Sequence, residues 1–225
     1  MIRATISLLF VSPLFALALA APAFAGNEDL DIDKVNGSIH VPDNATVGKV
    51  STVNGGIHIG ANAHARSAET VNGGIDLDNG ATVDSLETVN GGIRIGEHNK
   101  VAKTVEAVNG GITLRAGADV GGRVSNVNGG IRLESAHVGG GLETTSGDID
   151  VGANSRVEGG LLVNEDHSWF HNNSRKPRIV IGPHATVDGT LLFKRDVELY
   201  VSDSAMVGKI EGASPQKFSG EQPPR

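Results

Sequence analysis

Three groups of residues have the types and spacing for chemistry. The first is a row at His40, His58, Asp76, Arg94, Thr113, Arg132 and Asp150, recurring every 18 or 19 residues. Imidazole and carboxylate are metal-ligand types, which makes His40, His58 and Asp76 the metal candidates. The second is a carboxylate row at Glu69, Glu87, Glu106 and Glu143, with Ser51 before it and Ser125 within it. Like charges set side by side repel. That cost points to a divalent cation or a basic partner; the alternative is screening by solvent, helped by Arg66 and Lys103. The third group lies in the segment 164–178, where Trp169 and Phe170 sit between His167 and His171, and Arg175, Lys176 and Arg178 follow. Trp, Phe and Arg are common binding anchors, and an aromatic with polar neighbours can stack on a sugar ring. The alternative is that Trp169 and Phe170 fold back and cover a side of the protein.

What positions these residues is a repeat. Val53-Asn54-Gly55-Gly56-Ile57 recurs at 71–75, 89–93, 108–112 and 127–131. Looser copies are Val35-Asn36-Gly37-Ser38-Ile39 before it and Thr145-Ser146-Gly147-Asp148-Ile149 after it, and the spacings are 18, 18, 18, 19, 19 and 18. A fixed period of this size marks a solenoid, one unit per turn. In the coil that starts at Ile75, Ile75 and Leu77 flank Asp76, Ala81 and Val83 flank Thr82, and Leu86 and Val89 complete the turn. Apolar residues two apart share one face of a strand. Three short strands per coil, with these six residues inside, make a three-sided coil. The coil that starts at Ile149 continues the pattern through Val163, and the next coils start at Ile179 and Leu199, so 164–178 is an excursion. The expected fold is all-β: a single-stranded parallel β-helix (β-solenoid), three-sided, of about nine coils of 18–19 residues. The general crossover preference makes it right-handed. Asn36, Asn54, Asn72, Asn90, Asn109 and Asn128 are expected at left-handed bends, with their amides stacked from coil to coil.

On a flat sheet, stacked side chains do not converge on a point. His40, His58 and Asp76 are therefore expected to form a solvated face, in which Asp76 meets Arg94 and Arg132 meets Asp150. No metal and no cofactor is expected. The net charge of −7 argues against a nucleic-acid partner. The chain has no Cys, so disulfides do not hold it together. No Phe, Tyr or Trp occurs between Asn27 and Ser168, which leaves a narrow aliphatic stack and an aromatic final third. Arg3, the apolar run from Ile6 to Ala20 and Ala23-Phe24-Ala25 form the pattern of a signal peptide over 1–25, cleaved after Ala25. The expected location is the periplasm or cell surface of a bacterium, with no transmembrane segment in the mature chain. The β-helix is expected over 26–212 and a C-terminal tail over 213–225, either a cap or disordered.

The Asn-Gly-x-Ile repeats ending in Thr145-Ser146-Gly147-Asp148-Ile149 resemble those of a bacterial adhesin-like β-solenoid family. The coils at 181–192 and 205–212 are similar to those of bactofilins, polymer-forming β-helix proteins. These resemblances imply a non-catalytic scaffold or surface protein and bring no site residues with them. The expected function is an envelope scaffold or adhesin-like binding module, not an enzyme. Its expected partners are an envelope protein or a glycan, and a second copy met through the open β-helix ends. The alternatives are an end-to-end polymer-former and an enzyme acting on polysaccharide or transferring acyl groups, for which His184 is the one His in a hexapeptide-like segment.

Overall fold

Short alternating segments separated by Gly-rich corners cannot bury their apolar faces alone. Each coil must lie on the next. The computed structural model describes residues 30–166 and 175–224, and these contain strands and turns but no helix. The signal-peptide segment and His167, Trp169, Phe170 and His171 lie outside the described residues. The chain is an all-β parallel solenoid. One sheet has ten strands, beginning at Ile39–Val41, Ile57–Ile59 and Ile75–Leu77 and ending at Gln216–Phe218. The other has sixteen strands and wraps two sides of the coil. Its long strands Thr46–Asn54, His64–Asn72 and Thr82–Asn90 bend at a corner, and from Lys100 onward each is replaced by two shorter strands. Every pairing is parallel, and the inward aliphatics stack like on like through most of the chain, as in Ile75 on Ile57 and Ile93 on Ile75. The core is a column of aliphatics from Ile39 to Val201.

The inward row after Leu86 is not the expected one. Leu86 is buried, Glu87 exposed, Thr88 buried and Val89 half-exposed. Val53, Val71, Val89, Val108 and Val127 therefore form a partly exposed outer rib, and Thr52, Thr70 and Thr88 point inward. Strict alternation from Leu86 places residue 88 inside, and its hydroxyl is satisfied there. Thr88 Oγ1 donates to the Gly73 carbonyl at 2.8 Å, Thr70 to Gly55 at 2.8 Å and Thr52 to Gly37 at 3.1 Å. A buried polar group is tolerated when it is bonded in this way.

The corners also differ from expectation. The Asn ladder is real: Asn72 Nδ2 donates to Asn54 Oδ1 at 2.9 Å, and Asn90 to Asn72 at 3.0 Å. These residues do not adopt the left-handed conformation. That conformation falls at another corner, on Asn44, Asn62, Gly80, His98, Gly117, Ser135, Asn154 and His184. In Asn-Gly-Gly, glycine is needed for space: a Cβ on Gly73 would overlap the Gly55 carbonyl of the coil before it.

Beyond residue 212 the chain adds one more strand. Gln216–Phe218 pairs in parallel with Glu198–Ser202, and Phe218 is buried beside Ser202.

Candidate functional site

The carboxylate row forms on the outer face of the sixteen-stranded sheet. Glu69 lies beside Glu87, and Glu87 beside Glu106, on successive coils. Glu143 is one rung removed, with Ser125 between it and Glu106. The ends of the row are neutralised. Lys49 reaches Glu69 at 2.7 Å, and Arg123 reaches Glu143 at 2.7 Å. The expected partners Arg66 and Lys103 go elsewhere, to Asp31 at 3.7 Å and Asp84 at 3.0 Å. Burial first, then repulsion from Glu106 and Glu69, raises the pKa of Glu87, with Lys49 opposing. The row is a line of parallel carboxylates rather than a cage.

On the ten-stranded sheet, the His40 and His58 rings stack with centroids 4.9 Å apart and planes 10° from parallel. Asp76 is stacked on His58, but it is Asp78 that His58 Nε2 meets, at 2.9 Å. Asp76 pairs with Arg94 at 2.8 Å and Arg132 with Asp150 at 3.4 Å, the alternation expected of a solvated face. Among the described residues, no group of three or more His, Asp or Glu side chains is placed to hold a metal ion. The C-terminal tail crosses this face. Pro224 accepts from Arg178 Nη2 at 3.3 Å, and Gln222 borders an open cavity of about 370 Å³ lined by Arg132, Glu134, Ser135 and Asp150. Burial is the main cause of the raised Asp150 pKa, opposed by Arg132 and Arg178. His184 sits at a left-handed turn with an exposed side chain, and its N–H donates to Ser204 Oγ at 3.2 Å.

The excursion at 164–178 leaves the solenoid where earlier coils carry their Gly-rich corner. Its two stems are fastened to neighbouring coils. Asn164 donates to Glu143 at 2.7 Å and accepts from Lys194 at 3.3 Å. Arg195, with its side chain only 13% exposed, reaches Asp166 at 3.4 Å and the Thr145 carbonyl at 3.1 Å. On the returning stem, Arg175 meets Asp148 at 2.5 Å, and Lys176 meets Asp196 at 3.1 Å. Of the five candidate binding residues, Arg175 is the one described, and it is a stem residue. Asp148, Asp166, Arg195 and Asp196 belong to no expected row. Their partners are 20 to 50 residues away, at no regular interval, so nothing in an 18-residue period singles them out.

A second charged ladder also escaped the sequence pattern. His137 lies between Asp119, at 2.6 Å, and Glu158, at 3.4 Å, while Arg156 bridges Glu158 and Asp188. Hydrogen bonds from Arg156 and then His137 lower the pKa of Glu158. The signal for this ladder was the 18- and 19-residue spacing of Asp119, His137 and Arg156.

No family model matches this chain, and no curated protein or solved structure was found to be similar to it. The class that the structure defines is a parallel β-solenoid.

Proposed function

We propose that the chain is an exported, non-catalytic β-solenoid that serves a bacterial envelope as a scaffold or adhesin-like binding module, presenting the 164–178 excursion. The observation that carries this is the anchoring of both stems. Three ion pairs, Arg195–Asp166, Arg175–Asp148 and Lys176–Asp196, and one hydrogen bond, from Asn164 to Glu143, tie the excursion to a stacked scaffold. Binding residues concentrate on loops held by rigid frames. A pre-ordered base also reduces the entropy lost when a partner is engaged. The anchors on such a segment would be Trp169 and Phe170, facing an envelope protein or a glycan.

The test is Trp169→Ala in the mature chain, 26–225, against envelope extracts and a glycan array. Loss of an aromatic anchor is expected to weaken capture by about 2 kcal/mol or more, roughly thirtyfold. Capture equal to the parent's would end the binding role of the excursion.

A second reading rests on a separate observation. The two branches of the sixteen-stranded sheet end at Met206–Val207 and Ile210–Glu211, with no further strand beyond them among the described residues, and Met206 is 65% exposed. Open strand edges invite another chain. End-to-end filaments in negative-stain microscopy would favour this polymer-forming role.

A further inference from the structure

Asparagine followed by glycine is the dipeptide most open to self-modification, because glycine has no side chain to shield its own backbone nitrogen from the neighbouring amide. This chain has seven such dipeptides, at Asn36, Asn54, Asn72, Asn79, Asn90, Asn109 and Asn128. In six of them both reacting groups are held. The glycine N–H donates to a carbonyl of the next coil: Gly37 to Asn54 at 2.8 Å, Gly55 to Asn72 at 3.1 Å, Gly73 to Asn90 at 3.0 Å, Gly80 to Glu97 at 2.9 Å, Gly91 to Asn109 at 3.1 Å and Gly110 to Asn128 at 2.9 Å. In the same six the side-chain oxygen accepts a hydrogen bond. Five accept from the next amide of the ladder, and Asn79 accepts from the Glu97 N–H.

Asn128 is the exception on both counts. The ladder stops there, because the next coil carries Ser146 in place of Asn. The Ser146 N–H donates to the Val127 carbonyl at 2.9 Å, and the Gly147 N–H to Thr144 Oγ1 at 3.0 Å. Among the described residues the Gly129 N–H has no acceptor, and Asn128 Oδ1 accepts no hydrogen bond. Asn128 is also exposed. Its one side-chain bond runs back to Asn109, at 3.1 Å.

We infer that Asn128-Gly129 is a built-in deamidation site, and that the amide ladder suppresses the same reaction at the other six dipeptides. The Gly129 nitrogen bonds to Asn128 Cγ, the Cγ–Nδ2 bond breaks, and ammonia leaves carrying the nitrogen's proton. Water then opens the cyclic imide. Opening at the main-chain carbonyl carbon of residue 128 leaves Gly129 bonded to Cγ, an isoaspartyl link, and opening at Cγ restores the normal chain with aspartate at 128. One water is consumed and one ammonia is released. The product loses the donor to Asn109 and places a carboxylate at the end of the ladder. The isoaspartyl form also lengthens the main chain at a corner where Gly147 packs so close to the Gly129 carbonyl that no Cβ fits.

The test is to incubate the full chain at mildly alkaline pH and follow each Asn-Gly peptide by mass spectrometry, with enzymatic methylation to count isoaspartate. A parallel sample is held unfolded in urea. In the folded chain Asn128 is expected to react about tenfold or more faster than the other six, which must open locally before they react. In urea the seven rates are expected to converge. Equal rates in the folded chain would overturn the inference. So would a lead for Asn128 that persists undiminished in urea, since the local sequence and not the ladder would then set it.

Discussion

The side-chain nitrogen of Asn99 is buried with no hydrogen-bond partner among the described residues. Its oxygen is useful, accepting from the Ala81 N–H at 2.5 Å. Ser155 does the same work on a later coil, where its hydroxyl accepts from the Ala136 N–H at 3.2 Å. Asn99→Ser keeps an acceptor and removes the orphan amide, and an unsatisfied buried group costs about 1–3 kcal/mol. The variant is expected to gain about 1 kcal/mol in urea unfolding; a loss would mean that the amide packs better than a hydroxyl. Glu87 offers a pH-dependent counterpart. Its folded pKa is raised above the ordinary 4.5 by burial and by Glu106 and Glu69. Its contribution to stability is therefore full below the unfolded value and is lost as pH rises through the folded one. Above that point the carboxylate works against the fold. The carboxylate is partly desolvated by its packed surroundings yet still open to solvent at the sheet surface, so screening limits the effect, and Glu87→Gln is expected to add at most about 0.5 kcal/mol at neutral pH. Below about pH 4 the gain should vanish. Unfolding midpoints measured at both pH values check the sign.

At the scale of the strand, Thr82–Asn90 shows what hydropathy could and could not reveal. The period, the parallel stacking and the inward positions of Ile75, Leu77, Ala81, Val83 and Leu86 were legible, because aliphatics recur at fixed offsets. Hydropathy favours Val89 as the inward residue, because valine is a commoner core residue than threonine. Alternation from Leu86 overrides that preference, and the Thr88 bond to Gly73 exists only once the coils are stacked. The strand Gln216–Phe218 was hidden for a related reason: it carries one apolar residue and follows Pro215. The stems of the excursion were invisible because their ion pairs join separate coils at irregular intervals. The Thr–Val inversion makes a direct prediction. Thr88→Val adds apolar surface inside but leaves the Gly73 carbonyl without its hydroxyl donor, so it is expected to cost about 1 kcal/mol. Val89→Thr, on the half-exposed rib, is expected to stay within about 0.5 kcal/mol of the parent. Chemical denaturation of the two variants separates the assignments, since the reverse order of costs would put Val89 back in the core.

Across the whole molecule, each coil touches only its neighbours, so stability depends on how the stack ends. The end after Ser202 is closed on one side. Gln216–Phe218 covers the last edge of the ten-stranded sheet, and Phe218, 5% exposed, lies beside the buried Ser202. The two branches of the other sheet have no such cover among the described residues. One aromatic side chain therefore limits both fraying and edge-to-edge pairing. Truncating a buried Phe to Ala costs about 3–5 kcal/mol in a packed core. In a solenoid that cost falls first on the terminal coils, which can open while the rest of the stack remains folded. Phe218→Ala is thus expected to loosen residues 198–218 in hydrogen exchange while sparing Ile57–Ile95. It should also raise concentration-dependent association in sedimentation, because the longer edge of Glu198–Ser202 then replaces the short edge of Gln216–Phe218. Unchanged exchange over 198–218 would show that Phe218 does not hold the end. Loosened exchange without association would show that the exposed edge is blunted by something other than the final strand.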